Sequence, residues 1–459
     1  MRPPVFLYPM KNPRLFAVLP LLLAGFWATV PAADNVTTPE QLFPQLDVIL
    51  KHAVAQSPRM ISRTLDLEMA DQARIGARAG LLPSAGGYFS YYRADEDRAD
   101  LNGRNWVKKV AYNFSASQPI FHWGERRNND KMGEIRRIMA SGQYREGYRL
   151  FAQEVRSLYL HIILDKLRHT KAISFRDFTA NQAKVGEERL NKKVISEAQI
   201  FSIRMDAERA QVAAERAAFD LENDKAAFAR LTSTPVLKDE EIPDLIPPIA
   251  PEPDRYKNLL AGYLASKDLP SFEAVNTLQT LQLERLNLAN QKTRLRPKFN
   301  FVVGISQDEQ SYTANIAQKY QVSSYYGGIS ANWSIFDGFS AGAGERTALA
   351  RIRQLELDYS GLTERLAQQA QTQLRLIDFD ARYVSLNDRL LKSGEGYLSL
   401  KKEEFSRGVA SEETVSGAVV NLYDAQLTAY TTRMEYYMQV CEFLGSVMQD
   451  PVLANLPVK

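Results

Sequence analysis

Four histidines, one cysteine and a few clustered glutamates are the side chains best equipped for chemistry in this 459-residue chain. His52, His122, His161 and His169 show no metal-ligand spacing, and the separation of His161 from His169 on a helical stretch reads as surface or groove polarity. Cys441 stands alone, so disulfides are excluded. No HExxH, Walker or GxSxG motif occurs. The residue types therefore predict no catalytic centre, no metal site and no cofactor. What remains is placed charge. Ser196-Glu197 and Ser411-Glu412-Glu413 each open a helical run. Serine is a favoured N-cap, carboxylates suit a first helical turn, and "SEAQ" reads as a capping box. The same glutamates, multiplied by symmetry, would also ring a pore mouth and favour cations. The two roles are compatible.

The elements that must carry these serines and glutamates are written twice. "PIF" ends at Phe121 and "SIF" at Phe336, while "KKVISEAQI" (192–200) answers "RGVASEETV" (407–415); both pairs are separated by 336 − 121 = 215 residues. A constant offset over so long a stretch predicts duplication of one unit. Within each unit the period changes. Val110, Tyr112, Phe114, Ala116 and Ile120 alternate with Ala111, Asn113, Ser115 and Ser117, and Ile329, Ala331, Trp333 and Ile335 alternate with Ser330, Asn332 and Ser334. These are strands with one apolar and one polar face. Each has an upstream partner, begun by Pro83 before "SAGGYFSYY" and by Pro297 before Phe299, Phe301, Val303 and Ile305. "RADEDRADLNGRN" and "QDEQSYTANIAQKYQ" read as the joining loops.

Beyond each second strand the period becomes helical. Residues 125–185 lack proline and predict a rod of roughly 90 Å. It returns as Ile200, Ile203, Ala207, Ala210, Ala214, Ala217 and Leu221, a heptad seam that Val415, Ala418, Leu422, Ala425, Ala429, Thr432 and Tyr436 repeat. The domain plan is a signal peptide over 1–33, a first repeat over 34–234 with its hairpin at about 84–120, a Pro-rich linker over 235–253, a second repeat over 254–449 with its hairpin at about 298–335, and a tail over 450–459.

Lys+Arg 57 against Asp+Glu 54 leaves a net charge of +3, which points to no nucleic-acid partner. Lys11 and Arg14 before "LFAVLPLLLAGFWATV" and "PAA" predict export, with cleavage near Ala32 or Ala33 and Met10 as a tidier start. No cysteine near that site would carry a lipid. No later run of 18 or more apolar residues follows, so a membrane location would use strands. Four half-apolar strands cannot close a barrel, so several copies must combine. The alternation puts Tyr112, Phe114, Phe299, Phe301 and Trp333 toward lipid and Asn113, Ser115, Ser330 and Asn332 toward a wet lumen. The competing reading is a structural or adaptor-like coiled-coil envelope protein without a pore.

The doubled plan, "LLPSAGGYFSYY", the strand exits "QPIFHWG" and "WSIFDGF", and "RGVASEETVSGAVVNLYDAQ" resemble the TolC family of outer membrane efflux proteins. That resemblance implies a mainly α chain with a transmembrane β part, built from a duplicated α-β-β-α unit. It implies a homotrimer with a 12-stranded β-barrel in the outer membrane and a long α-helical barrel in the periplasm. It also implies partners: a periplasmic adaptor and an inner-membrane transporter of RND or ABC type, in tripartite efflux or type I secretion. The helical turns would be adaptor-docking tips, at Lys193 and Val194 and at Gly408 and Val409. Lys193 stands where the family's tip glycine is usual. The mouth acidic residues of the family map onto Thr414 and Gly417, with Glu197, Glu412 and Glu413 close enough to act at the gate. His122 stands opposite Asp337 of "IFDG", at the barrel-to-tunnel junction.

Overall fold

The computed structural model describes residues 38–97, 104–250, 252–310 and 320–456. The reading of 1–33 as a signal peptide lies outside them, as do 98–103 and 311–319 within the hairpin loops and 457–459 of the tail.

Proline placement sets the first helices: Pro39, Pro44 and Pro58 each sit in the first turn of α1 (Pro39–Leu42), α2 (Pro44–Gln56) and α3 (Pro58–Ala79), where the missing N–H costs nothing. Strands β1 (Ser84–Asp97) and β2 (Arg104–Phe121) follow, then α4 (Glu125–Asn191) and α5 (Glu197–Thr232). The second half repeats the order with α6 (Pro253–Ala265), α7 (Phe272–Lys292), β3 (Lys298–Gln310), β4 (Tyr320–Asn332), α8 (Ser340–Ser406) and α9 (Glu412–Ser446). Helices α4 and α8 contain 67 residues each, about 100 Å of rod. Among the described residues no helix is long and apolar enough to cross a membrane.

The duplication is stamped on the backbone. Left-handed φ values occur at Trp123 and Gly338, Gly124 and Phe339, Lys193 and Gly408, and Ser233 and Met448. Each pair keeps the sequence offset, 338 − 123 = 215.

The strands form one antiparallel sheet in the order β1-β2-β3-β4. Beyond it, α4 packs against α3 and α7 in one half of its length and against α5 and α9 in the other, and α8 packs against α7 and then α9. Two short helices laid end to end thus match each long one, and the wall is four elements wide at every level.

Midway along α4, a belt of side elements covers one face of this wall. Leu46 and Leu50 of α2, Tyr148, Phe151 and Tyr159 of α4, Phe228 of α5 and Tyr436 and Phe443 of α9 are fully or nearly fully buried there. The seam alanines Ala210, Ala214, Ala418 and Ala429 are buried as the heptad spacing requires, bringing helix axes close.

Four expectations change. The strands run well into the stretches read as loops, because the 18-residue β2 and 14-residue β1 stay paired as far as Asp97 and Arg104. The second hairpin stops at Asn332 rather than 335, and Trp333 lies just past β4. The 235–253 stretch is no free linker: Leu237, Ile242 and Ile246 are buried in the belt, Arg433 donates to the Ile246 carbonyl, and α6 already begins at Pro253. Nor is the described part of the tail, 450–456, loose, since Asp450 caps a 3-10 turn over Pro451–Asn455 and Val452 is buried.

Candidate functional site

At the tips, the two helix-to-helix turns share one hydrogen-bond pattern. Val194 N–H donates to Arg189 O at 2.8 Å and Val409 N–H to Glu404 O at 2.9 Å; Lys193 N–H reaches Leu190 O, and Gly408 N–H reaches Phe405 O. This is the six-residue closure that needs a left-handed residue. Gly408 supplies it at φ 73°, and Lys193 supplies it at φ 55° despite its Cβ. Lysine at the first tip therefore leaves the turn intact. Val194 and Val409 are 68% and 77% exposed, so each turn carries an apolar point toward solvent.

The serines cap as their spacing requires. Ser196 exchanges both bonds of a capping box with Gln199, and Ser411 Oγ accepts from Thr414 N–H at 3.3 Å while the two hydroxyls lie 3.0 Å apart. Thr414 is thus bound into the second cap. Glu197, Glu412 and Glu413 occupy first turns and are exposed. Gln182 of α4 donates to Glu413 at 2.7 Å, and Lys171 of α4 pairs with Asp424 of α9. Both tips therefore lie at one end of the wall, with α4 between Glu197 and the Glu412-Glu413 pair.

On the sheet, direct partners share a face. Phe114 pairs with Ile305, Phe301 with Ile329 and Phe299 with Ala331, while Tyr112 lies on that same face opposite Phe89 and Gln307. Asn113 pairs with Ser306, Ser115 with Gly304, Ser330 with Asn300 and Asn332 with Lys298 on the other. Apart from Trp333, which lies past β4 and has no strand partner, the two residue sets read from the alternation fall on opposite faces. Phe299 to Ile305 covers about 20 Å at about 3.3 Å per residue, near the roughly 25 Å apolar band of membrane barrels. The second face is less uniformly polar than expected, because it also carries Tyr88, Tyr92 and Tyr326, all exposed. Gly87 and Gly304 are roofed by the rings of Phe114 and Tyr326, each ring filling the space a Cβ would need.

The strand-to-helix junctions differ in letters and agree in geometry. "HWG" and "DGF" each place two left-handed residues in succession, one glycine and one aromatic, in opposite order: Trp123 then Gly124, Gly338 then Phe339. Each exit strand is also tied to the helix end before its hairpin, Gln118 Nε2 donating to Leu81 O at 2.9 Å and Trp333 Nε1 to Leu295 O at 2.8 Å. Trp123 Nε1 donates to Pro297 O at 2.7 Å, joining the halves. His122 is buried, with Nε2 at 2.9 Å from Asn300 Oδ1 and Nδ1 accepting from Arg126 Nε. Asp337 instead accepts from Ala341 N–H as a helix cap. Ile120, read as part of the alternation, is the extra residue of a β-bulge, since Pro119 opposes Asn300 and Phe121 opposes Phe299.

An open four-element wall with a two-faced sheet at one end and capped helical turns at the other defines the fold of outer membrane channel proteins. Residues 49–170 match the family described as outer membrane efflux protein, in keeping with the TolC-family resemblance of the strand exits. The chain is similar in structure to the Campylobacter jejuni CmeC outer membrane channel (12% identity, 99% of this chain and 98% of that one, TM-score 0.71). It is also similar to the open state of the Neisseria gonorrhoeae MtrE outer membrane channel (14%, 88% and 89%, 0.62) and to the Vibrio cholerae outer membrane protein VceC (11%, 88% and 96%, 0.62). No curated protein sequence matches the chain.

Proposed function

We propose that three copies of this chain close into an outer membrane duct that passes small molecules or proteins outward through a periplasmic tunnel. The observation that carries the reading is the pair of open edges. Helix α5 exposes Phe201, Met205, Val212 and Phe219 on the side away from α4. Helix α8, at the other edge, exposes Leu376, Phe379, Tyr383, Leu386 and Leu390, spaced alternately three and four as in a coiled-coil seam. Strands β1 and β4 are likewise the sheet's two edges. Edges that differ from each other suit a head-to-tail ring, and a ring removes strand edges that lipid does not tolerate. Four strands per copy give twelve in the trimer, and four helices per level give twelve around the tunnel.

In this assembly Tyr112, Phe114, Phe299 and Phe301 meet lipid, while Asn113, Ser115, Ser330 and Asn332 line water. Glu197, Glu412 and Glu413 ring the far mouth, and Lys193, Val194, Gly408 and Val409 present the surface for a periplasmic adaptor that couples the duct to an inner-membrane transporter. The adaptor-like alternative leaves the broad apolar face of the sheet without a purpose. Light scattering of detergent-extracted protein and planar-bilayer recording test the proposal: a trimer with stable conductance is expected, and a monomer that makes no pores overturns it.

A further inference from the structure

The wall has a discontinuity at mid-height. Between α4 and α8, helix α9 ends at Ser446 and α7 begins at Phe272, and the joint leaves a cavity of about 900 Å³. The residues of α4 that line it, among them Leu150, Gln153 and Ser157, lie on the side opposite the buried belt residues Phe151, Val155 and Tyr159. It therefore opens on the face of the wall that the belt leaves uncovered.

The lining combines an apolar floor with carboxylates. Leu150, Leu158, Leu366 and Met438 supply the first, and Glu146, Glu154, Asp224, Glu273 and Glu442 the second, against Arg149 as the lining's cation. Some of this charge is answered locally: Glu146 takes both arms of Arg149, Glu154 pairs with Arg59, and Glu273 pairs with Arg365 at 3.0 Å. Glu442 is held differently. Ser446 Oγ donates to Gln373 Oε1 at 2.7 Å, and Gln373 Nε2 donates to Glu442 Oε1 at 3.1 Å. Gln373 is itself buried, so a neutral relay orients the Glu442 carboxylate while leaving its charge for another partner.

We propose that this cavity is a binding station for cationic amphipathic small molecules, with Glu442 as the charge anchor and Leu150, Leu158 and Met438 as the apolar contact. Its volume lies in the range of sites that take drug-sized ligands, and a cation beside an oriented carboxylate on a protein wall gains more than one in bulk water. Resting on the duct reading, three such stations would line the tunnel halfway between mouth and barrel.

The test uses the purified full-length protein in detergent, with rhodamine 6G as cationic probe and fluorescein as anionic probe of similar size, read by fluorescence polarisation. Saturable binding of rhodamine 6G at one site per chain is expected, with fluorescein binding at least tenfold weaker. Glu442→Gln and, independently, Gln369→Trp, which fills the cavity from exposed α8 surface, are each expected to weaken rhodamine binding at least tenfold with the circular dichroism spectrum unchanged. Equal binding of both dyes, no saturable binding, or Glu442→Gln and Gln369→Trp proteins that bind as the parent does would overturn the proposal. Bilayer conductance of the same preparation reads the duct separately, so a conducting protein that fails to bind the dye sinks only the station.

Discussion

Arg156 and Asp450, on the middle of α4 and just past the end of α9, meet in a two-armed ion pair at 2.8 and 2.9 Å with the guanidinium fully buried. The third arm of Arg156 donates to Glu40 at 2.5 Å. One buried cation thus fastens the first helix and the C-terminal turn to the long rod α4. Removing one partner of such a cluster strands buried charge and costs about 3–5 kcal/mol. Arg156→Ala is expected to lower the unfolding free energy by about that amount, with a correspondingly lower urea midpoint, and a chain ended at Gln449 should resemble it. Urea unfolding followed by circular dichroism measures both.

Lys193 holds a left-handed φ that glycine holds at Gly408. A side chain there costs about 1 kcal/mol. Lys193→Gly is expected to stabilise the first tip by about that much, and Gly408→Ala to destabilise the second by a similar amount. Hydrogen exchange at Val194 and Val409, whose amides close the two turns, reads the effect locally.

That comparison shows what was legible in the sequence and what was not. The offset between the halves, the strand faces and the alanine seam all follow from spacing, because period alone decides which side a residue occupies. The swapped order of Trp123-Gly124 and Gly338-Phe339 was not readable, since either residue of a two-residue left-handed turn can be the glycine and the letters then fail to align. The belt is hidden in the sequence for another reason. Pro-rich composition suggested a linker at 235–253, yet apolar Leu237, Ile242 and Ile246 were present to bury, and Asp450-Pro451 already carried the cap-then-proline signature of a helical start. Arg156 lies within an otherwise apolar stripe of α4, which was the available signal of a buried partner.

The sheet faces can be mapped by single cysteines because the native thiol is silent. Cys441 is buried, and burial pushes its thiol up to about 12, so the reactive thiolate is scarce at ordinary pH. Ser115→Cys and Ser330→Cys are expected to react with a membrane-impermeant maleimide in liposomes. Phe114→Cys and Phe301→Cys should react only with a lipid-soluble one. Reversed labelling would place the lumen on the other face.

Asp224 gives a pH dependence whose sign is fixed by its surroundings. Burial, a hydrogen bond with Asp165 and that group's like charge raise its carboxyl above the usual aspartate value, with His161 opposing. A carboxyl raised on folding binds its proton more tightly in the native chain, so its ionisation weakens the fold, and stability rises as pH falls through the native value. Arg168 of the same helix donates to Asp165 at 2.6 Å, so Asp165 bridges Arg168 and Asp224. Asp224→Asn removes the titrating proton and the repulsion together. The variant is expected to melt higher than the parent at pH 7.5, and the gap should shrink as pH is lowered toward the carboxylate range. Differential scanning calorimetry across that interval measures it, and a parent that loses no stability relative to Asp224→Asn as pH rises would show that Asp224 carries no such penalty.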